Sequence, residues 1–233
     1  MAHRFTTALI VGAGEGLSAS LCRLFAREGI KVALAARNAA KLAPLVEETG
    51  AHAFAVDCAE ATQVQALFDA VATKIGDPDI VVYNASGRTG GPFVDLDPAE
   101  VARTLAVTAY GGFLVGQLAA RRLLLRPDGI LRGAILFTGA SASIKGYARS
   151  APFAMGKFAL RGLAQSMARE LSPQGIHVGH VVIDGGIRAR GRAGPPDSLL
   201  DPDAIAASYW HLLQQPRNAW TWEMELRPFV ENF

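Results

Sequence analysis

Short apolar blocks alternate with longer stretches of helical periodicity along almost the whole chain. Ala8-Leu-Ile-Val11 is apolar without interruption, as a strand buried on both faces should be. Blocks of the same kind recur at 31–36, 53–56, 80–83, 134–137 and 176–183, and the alternation of Trp222, Met224 and Leu226 with Glu223 and Glu225 predicts a last strand. Between them the spacing predicts helices over 17–27, 39–48, 62–74, 97–124, 151–171 and 201–213. The helix from 97 carries its own start signal: Asp97 as N-cap, Pro98 at the first helical position and Glu100 to reciprocate. In the 151–171 helix, Phe153, Leu160, Leu163, Met167 and Leu171 share a face. Continuous apolar strands separated by helices imply an α/β fold, a doubly wound parallel sheet covered on both sides. No repeat or linker interrupts it, so 1–233 reads as a single domain.

Composition narrows the picture. Half of the 233 residues are hydrophobic and 19% are charged, enough to fill a core and too apolar for a disordered chain. A formal charge of +2 without a dense Lys/Arg face predicts no nucleic-acid partner. Two cysteines, Cys22 and Cys58, rule out a disulfide framework and fit a reducing, cytoplasmic setting. Neither a signal-length apolar segment at Met1–Phe5 nor a membrane-length run is present, so no membrane is expected. The histidines suggest no metal: His3, His52 and His211 are isolated, and His177 and His180, three apart in a strand, point to opposite faces.

The chemistry starts at Val11-Gly-Ala-Gly-Glu-Gly-Leu-Ser18, between the first strand and the first helix. Glycines there let a pyrophosphate approach backbone N–H groups at a helix N-terminus, the arrangement of a Rossmann fold. Gly12, Gly14, Glu15, Gly16 and Leu17 are the expected cofactor contacts, and the Ser18 hydroxyl is a further candidate for a phosphate. The alternative dinucleotide pattern, Gly12-x-Gly14-x-x-Leu17, fails at its last position.

Gly12-x-x-x-Gly16-x-Ser18 resembles the glycine turn of the short-chain dehydrogenase/reductase family, with serine for the last glycine. Three further motifs resemble that family in order: Asp57 after the third strand, Asn84-Ala85-Ser86 after the fourth, and Phe153-x-x-x-Lys157 at a helix start. The resemblance implies that Asp57 contacts the adenine, that Asn84 and Ala85 border the cofactor, and that Lys157 holds the nicotinamide ribose. Arg37, directly after the second strand with no acid at Ala35 or Ala36, favours the 2′-phosphate of NADP(H) over NAD(H), although Glu15 opposes it.

The same resemblance places the family's catalytic tyrosine at Phe153, its serine at Ala140 and its helix asparagine at Thr108, leaving only Lys157. Tyr147, in the loop 141–151, is the first candidate for a substitute proton donor. Asp184 is the second, as a base acting through water, or else a turn residue bonding its own backbone. Ser141 is expected to point away from the side that Ala140 faces. The loop 185–200, with Arg188, Arg190 and Arg192 alternating, reads as the substrate loop, either anion-attracting or simply solvated. Three functions remain open: an oxidoreductase acting on a small carbonyl or alcohol with a non-standard donor, a dinucleotide-binding protein that senses or assembles without turnover, or the same fold doing other chemistry in the pocket with Asp184 or Tyr147 as acid or base. The helices 97–124 and 151–171 are identified with the family's subunit interface, implying a homodimer or homotetramer.

Overall fold

The computed structural model describes residues 5–127, 131–189, 191, 192 and 194–231. Seven parallel strands form one sheet: β1 (Thr7–Val11), β2 (Lys31–Ala36), β3 (His52–Ala55), β4 (Ile80–Tyr83), β5 (Gly133–Thr138), β6 (Ile176–Ile183) and β7 (Glu223–Leu226), in the spatial order β3-β2-β1-β4-β5-β6-β7. The order reverses between β1 and β4, so their connections leave in opposite directions and a crevice opens beyond their C-terminal ends.

Strand alternation divides the core in two. Ala8 and Ile10 of β1 face a cluster built with α1 (Leu17–Arg27) and α7 (Pro202–Gln214), through Phe25, Ile205 and Tyr209. Leu9 and Val11 face the other cluster, built with α3 (Ala61–Ile75), α5 (Gly111–Leu124) and α6 (Ala151–Leu171), through Phe68, Val115 and Leu160. A strand apolar at every position is thus explained: each face has its own helical layer.

Several element ends differ from the periodicity. The helix expected over 39–48 begins as a 3-10 turn at 39–42 and becomes α-helical only in α2 (Ala43–Thr49), where Pro44 suits a first turn. The helix expected over 97–124 is α4 (Pro98–Leu105) and α5 joined through a π-helical turn at Ala106–Tyr110. Asp97 does cap α4 by accepting from the Ala99 N–H at 2.8 Å, while Glu100 stays exposed. Trp222 precedes the last strand instead of opening it.

In the loop 185–200, Arg188 N donates to Leu200 O and Leu200 N to Gly186 O, and the Arg188 guanidinium pairs with Asp201. Arg192 packs over Gly186, while Arg190 lies outside the described residues, as does His3. Among the described residues no helix is long and apolar enough to cross a membrane.

Candidate active site

The crevice at the β1–β4 reversal is a cleft of about 860 Å³, and the glycine turn forms its floor. Gly12 adopts φ +86°, and a Cβ there would sit 2.3 Å from Ala85 N, so this glycine is demanded by the close passage of the β4 end. The N–H groups of Gly12 and Ala13 both donate to Ala35 O, at 2.9 and 3.0 Å, stapling the turn to β2. Gly14 and Gly16 differ: a Cβ at either would meet nothing within 4 Å. Among the described residues no hydrogen bond uses the N–H of Gly14, Glu15, Gly16 or Leu17, which leaves donors at the α1 N-terminus for an anion. The Leu17 side chain is core, so only its backbone can serve. Ser18 corrects an expectation. Its buried hydroxyl donates to Gly12 O (3.2 Å) and accepts from Asn84 Nδ2 (2.7 Å), so it braces the turn against β4 and turns away from any phosphate.

Arg37 lines the cleft beyond β2, and Lys41, one turn later, lines it as well. Lys41 was missed in the sequence, and it comes to the cleft on the 3-10 turn at 39–42 that follows Arg37. Glu15 and Asp57 supply the carboxylates of this wall. One Asp57 oxygen accepts from Ala59 N at 3.1 Å, fixing the side chain beside the cleft. Asn84 and Ala85 close the floor, with Asn84 N donating to Val11 O.

A second group of side chains gathers where β5 and β6 end. Lys157 is 3% exposed, donates from Nζ to Thr138 O at 2.8 Å, and burial pulls its pKa down to about 8. Phe153, one turn earlier on α6, has the Arg88 guanidinium 5.0 Å from its ring centre and Lys157 Nζ 5.9 Å away. Ala140 follows β5 and is held by its N–H to Ser143 Oγ at 3.1 Å. Thr108 is fully buried and receives Gly87 N at 3.0 Å.

Asp184 is completely buried, yet its carboxylate stays ionised. Burial pushes its pKa up, but the Ser141 hydroxyl, Lys145 (3.1 Å) and Arg227 (2.8 Å) outweigh that and hold it below the usual carboxylate range. The expectation that it bonds only its own turn is therefore replaced by an ion-pair network. Ser141 is likewise corrected: it opens a 3-10 turn at Ser141–Ser143, so strand alternation does not govern it and it reaches Asp184. The Lys145 pKa in turn is raised, by Asp184 first and by the Tyr147 phenol after it, and Tyr147 is 46% exposed. This Tyr147–Lys145–Asp184 chain was not legible from spacing, because both loops had to be folded to bring 145 to 184.

The two histidines of β6 do diverge. His177 donates from Nε2 to Thr221 O (2.9 Å) and stacks on Trp220, whereas His180 meets Glu223 through Nδ1. Among the described residues no group of three potential metal ligands assembles.

A family model described as short chain dehydrogenase matches residues 6–191. D-threitol dehydrogenase of Mycolicibacterium smegmatis is 31% identical over 86% of this chain and 83% of its own length. A short-chain dehydrogenase from Rhodopseudomonas palustris superposes with a TM-score of 0.83, 35% identity, and coverage of 96% and 99% of the two chains. A metagenomic short-chain oxidoreductase in complex with NADP superposes with a TM-score of 0.82 at 26% identity, covering 97% and 98%. The glycine turn, the cleft at the strand-order reversal and these likenesses agree, and the chain belongs to the short-chain dehydrogenase family.

Proposed function

We propose that this protein is an NADP(H)-dependent oxidoreductase that reduces a small carbonyl compound, or oxidises the corresponding alcohol, with Tyr147 in place of the family's usual proton donor. The observation that carries the cofactor reading is the pairing of unspent N–H donors at Gly14–Leu17 with Arg37 and Lys41 at the far end of one cleft. The first fits a pyrophosphate; the two cations fit a 2′-phosphate better than a bare ribose hydroxyl. The bound nicotinamide supplies or accepts the hydride. The chain's own residues do the remainder: Lys157 holds the ribose end, Asp57 the adenine end, and Asn84 and Ala85 the wall between them.

The proton needs another source, because at the positions where the family resemblance expects a serine and a tyrosine the chain has Ala140 and Phe153, neither of which can donate. Tyr147 carries an exposed phenol in the loop after β5 and is among the groups that raise the Lys145 ammonium, and a phenol can donate its proton to a substrate oxygen. Asp184, ionised and pinned by Arg227, keeps Lys145 aimed at the phenol; it is a positioning residue rather than a base. Loop 185–200 completes the substrate side, and exposed Tyr110, Phe113, Met155 and Phe158 on α5 and α6 and the turn before α5 form the subunit interface of a homodimer or homotetramer.

Calorimetry with NADP(H) and NAD(H), followed by turnover assays on a panel of carbonyls, tests this reading. NADP(H) is expected to bind at least tenfold tighter, about 1.4 kcal/mol, and Arg37→Ala to erase that margin. Tyr147→Phe is expected to lower turnover by about 10²- to 10⁴-fold with cofactor affinity unchanged. Tight NADP(H) binding without turnover of any carbonyl would instead support a dinucleotide-binding role without dehydrogenase chemistry.

A further inference from the structure

His180 is fully buried on β6, opposite Phe137 of β5, in a position that no part of the proposed reaction uses. Its Nδ1 lies 2.9 Å from Glu223 Oε2, and Glu223 is itself clamped by Arg161 through Nε and Nη2, both at 2.7 Å. An ionised carboxylate can only accept, so Nδ1 carries the imidazole proton and Nε2 is left as a bare acceptor. That Nε2 has no hydrogen-bond partner among the described residues, although it is shut off from solvent. A buried acceptor without a donor is a costly feature and calls for an explanation.

Lys157 has the complementary deficit. Its ammonium has three hydrogens, and the one bond made among the described residues is to Thr138 O. The two nitrogens border the same peptide unit: Lys157 Nζ is 2.8 Å from the Thr138 carbonyl, and the His180 ring presses on the next residue, Gly139, where a Cβ would lie 2.5 Å from Nε2. Ser143 Oγ flanks the same Gly139 position, at 2.9 Å from that Cβ site. Glycine at 139 thus makes room for the imidazole beside the peptide whose carbonyl Lys157 binds.

We propose that His180 is a positioning residue for Lys157: its bare Nε2 accepts, through one bridging water, a hydrogen bond from the ammonium, and with Glu223 behind it keeps Lys157 charged and in place. The charged groups that face the ring are Glu223 from β7 and Lys157 and Arg161 from α6; the β5–α6 connection offers only the Gly139 backbone and the Ser143 hydroxyl. Burial pulls the His180 pKa down to about 4 in spite of Glu223, so the ring stays neutral and its lone pair available at neutral pH. Lys157, by contrast, is close enough to its own titration that a lost acceptor matters. The proposal rests on the cofactor-facing role given to Lys157 above.

Two measurements on the full-length protein test it. Nitrogen-15 spectra of the histidine side chains in the cofactor-free protein should show His180 protonated at Nδ1, with Nε2 unprotonated and shifted as a hydrogen-bonded acceptor. A proton on Nε2 overturns the proposal, and this readout stands even if no cofactor binds, a result that would sink the function proposed above instead. The second measurement is NADPH affinity against pH. Affinity should fall as pH rises through the Lys157 titration near 8, and in His180→Leu that fall should begin about one pH unit lower. The variant would then bind several-fold to tenfold more weakly at pH 8 and equally at pH 6. His180→Gln, which restores an acceptor, should move the break back. A folded His180→Leu protein with the wild-type pH profile would reduce His180 to packing; if that variant does not fold, the wild-type spectrum decides alone.

Discussion

Asp79 closes the end of the sheet opposite the site, and it shows how much one side chain can hold. Its Oδ2 accepts from Thr6 N (2.6 Å), Thr6 Oγ1 (2.7 Å) and Thr7 N (3.0 Å), while Oδ1 meets the Arg126 guanidinium. Burial pushes the carboxyl pKa up, but the two Thr6 donors and Arg126 outweigh it, and the net shift is downward. A depressed folded-state value means that the ionised carboxylate stabilises the fold above the unfolded pKa of about 4, and that this contribution disappears as pH falls through the folded value. Asp79→Ala is expected to cost about 2–4 kcal/mol at pH 7, because it strands buried donors at the start of β1 and leaves Arg126 unpaired. Urea unfolding of both proteins at pH 7 and at pH 3 checks it: the gap between their midpoints should narrow at the lower pH. A gap equally wide at both would mean that packing, not charge, carries the effect. Nothing in the sequence singled out Asp79, since an aspartate two residues after another before a strand reads as a turn.

At the scale of elements, the helical layer over α5 and α6 depends on two adjacent glycines that the periodicity passed over. The π-helical turn at Ala106–Tyr110 inserts a residue into what spacing alone reads as one helix, and the Val107 carbonyl accepts from the Tyr83 hydroxyl of β4. Immediately after it, a Cβ on Gly112 would lie 2.5 Å from Leu160 Cδ1, and Leu160 is fully buried. Gly112→Ala therefore makes Leu160 shift within a fully packed layer and is expected to destabilise by about 1–3 kcal/mol. A thermal scan should show a melting point lower by roughly 3–10 °C, on the scaling of about 2–4 °C per kcal/mol for a chain of this size. An unchanged melting point would show that Leu160 repacks without cost. Strands, helix order and the α6 boundaries were readable because each depends on local periodicity. The π turn was not, because the carbonyl it presents at Val107 is met by Tyr83 on a distant strand. The same division holds at the site. The glycine turn and Arg37 were legible from local spacing, and Asn84 and Lys157 from short motifs that resemble the family's. The contacts of Lys145 with Asp184 and of His180 with Glu223 were not, since each joins residues about forty positions apart.

For the whole molecule, the question is what covers the outer face of α5 and α6. Tyr110 and Phe113 are half-exposed and stack on one another, with ring centres 6.2 Å apart and planes 19° from parallel, and Met155 and Phe158 on the neighbouring helix are exposed to a similar degree. Apolar side chains contiguous across two packed helices form the kind of patch that a second subunit covers, and α6 also carries Lys157 and Phe153 on its inner side. A second subunit seated there would fix the outer face of the helix whose inner face carries Lys157, and would so join association to the site. Phe158→Asp places a charge in the middle of that patch without touching the cleft, so it is expected to shift light scattering behind a sizing column from an oligomer toward monomer mass. NADPH affinity in the same variant is expected to fall several-fold even though no cofactor-facing residue has changed. Wild-type mass corresponding to a monomer at micromolar concentration would remove the interface. A monomeric variant with undiminished NADPH affinity would leave the interface in place and show that α6 holds its geometry unaided.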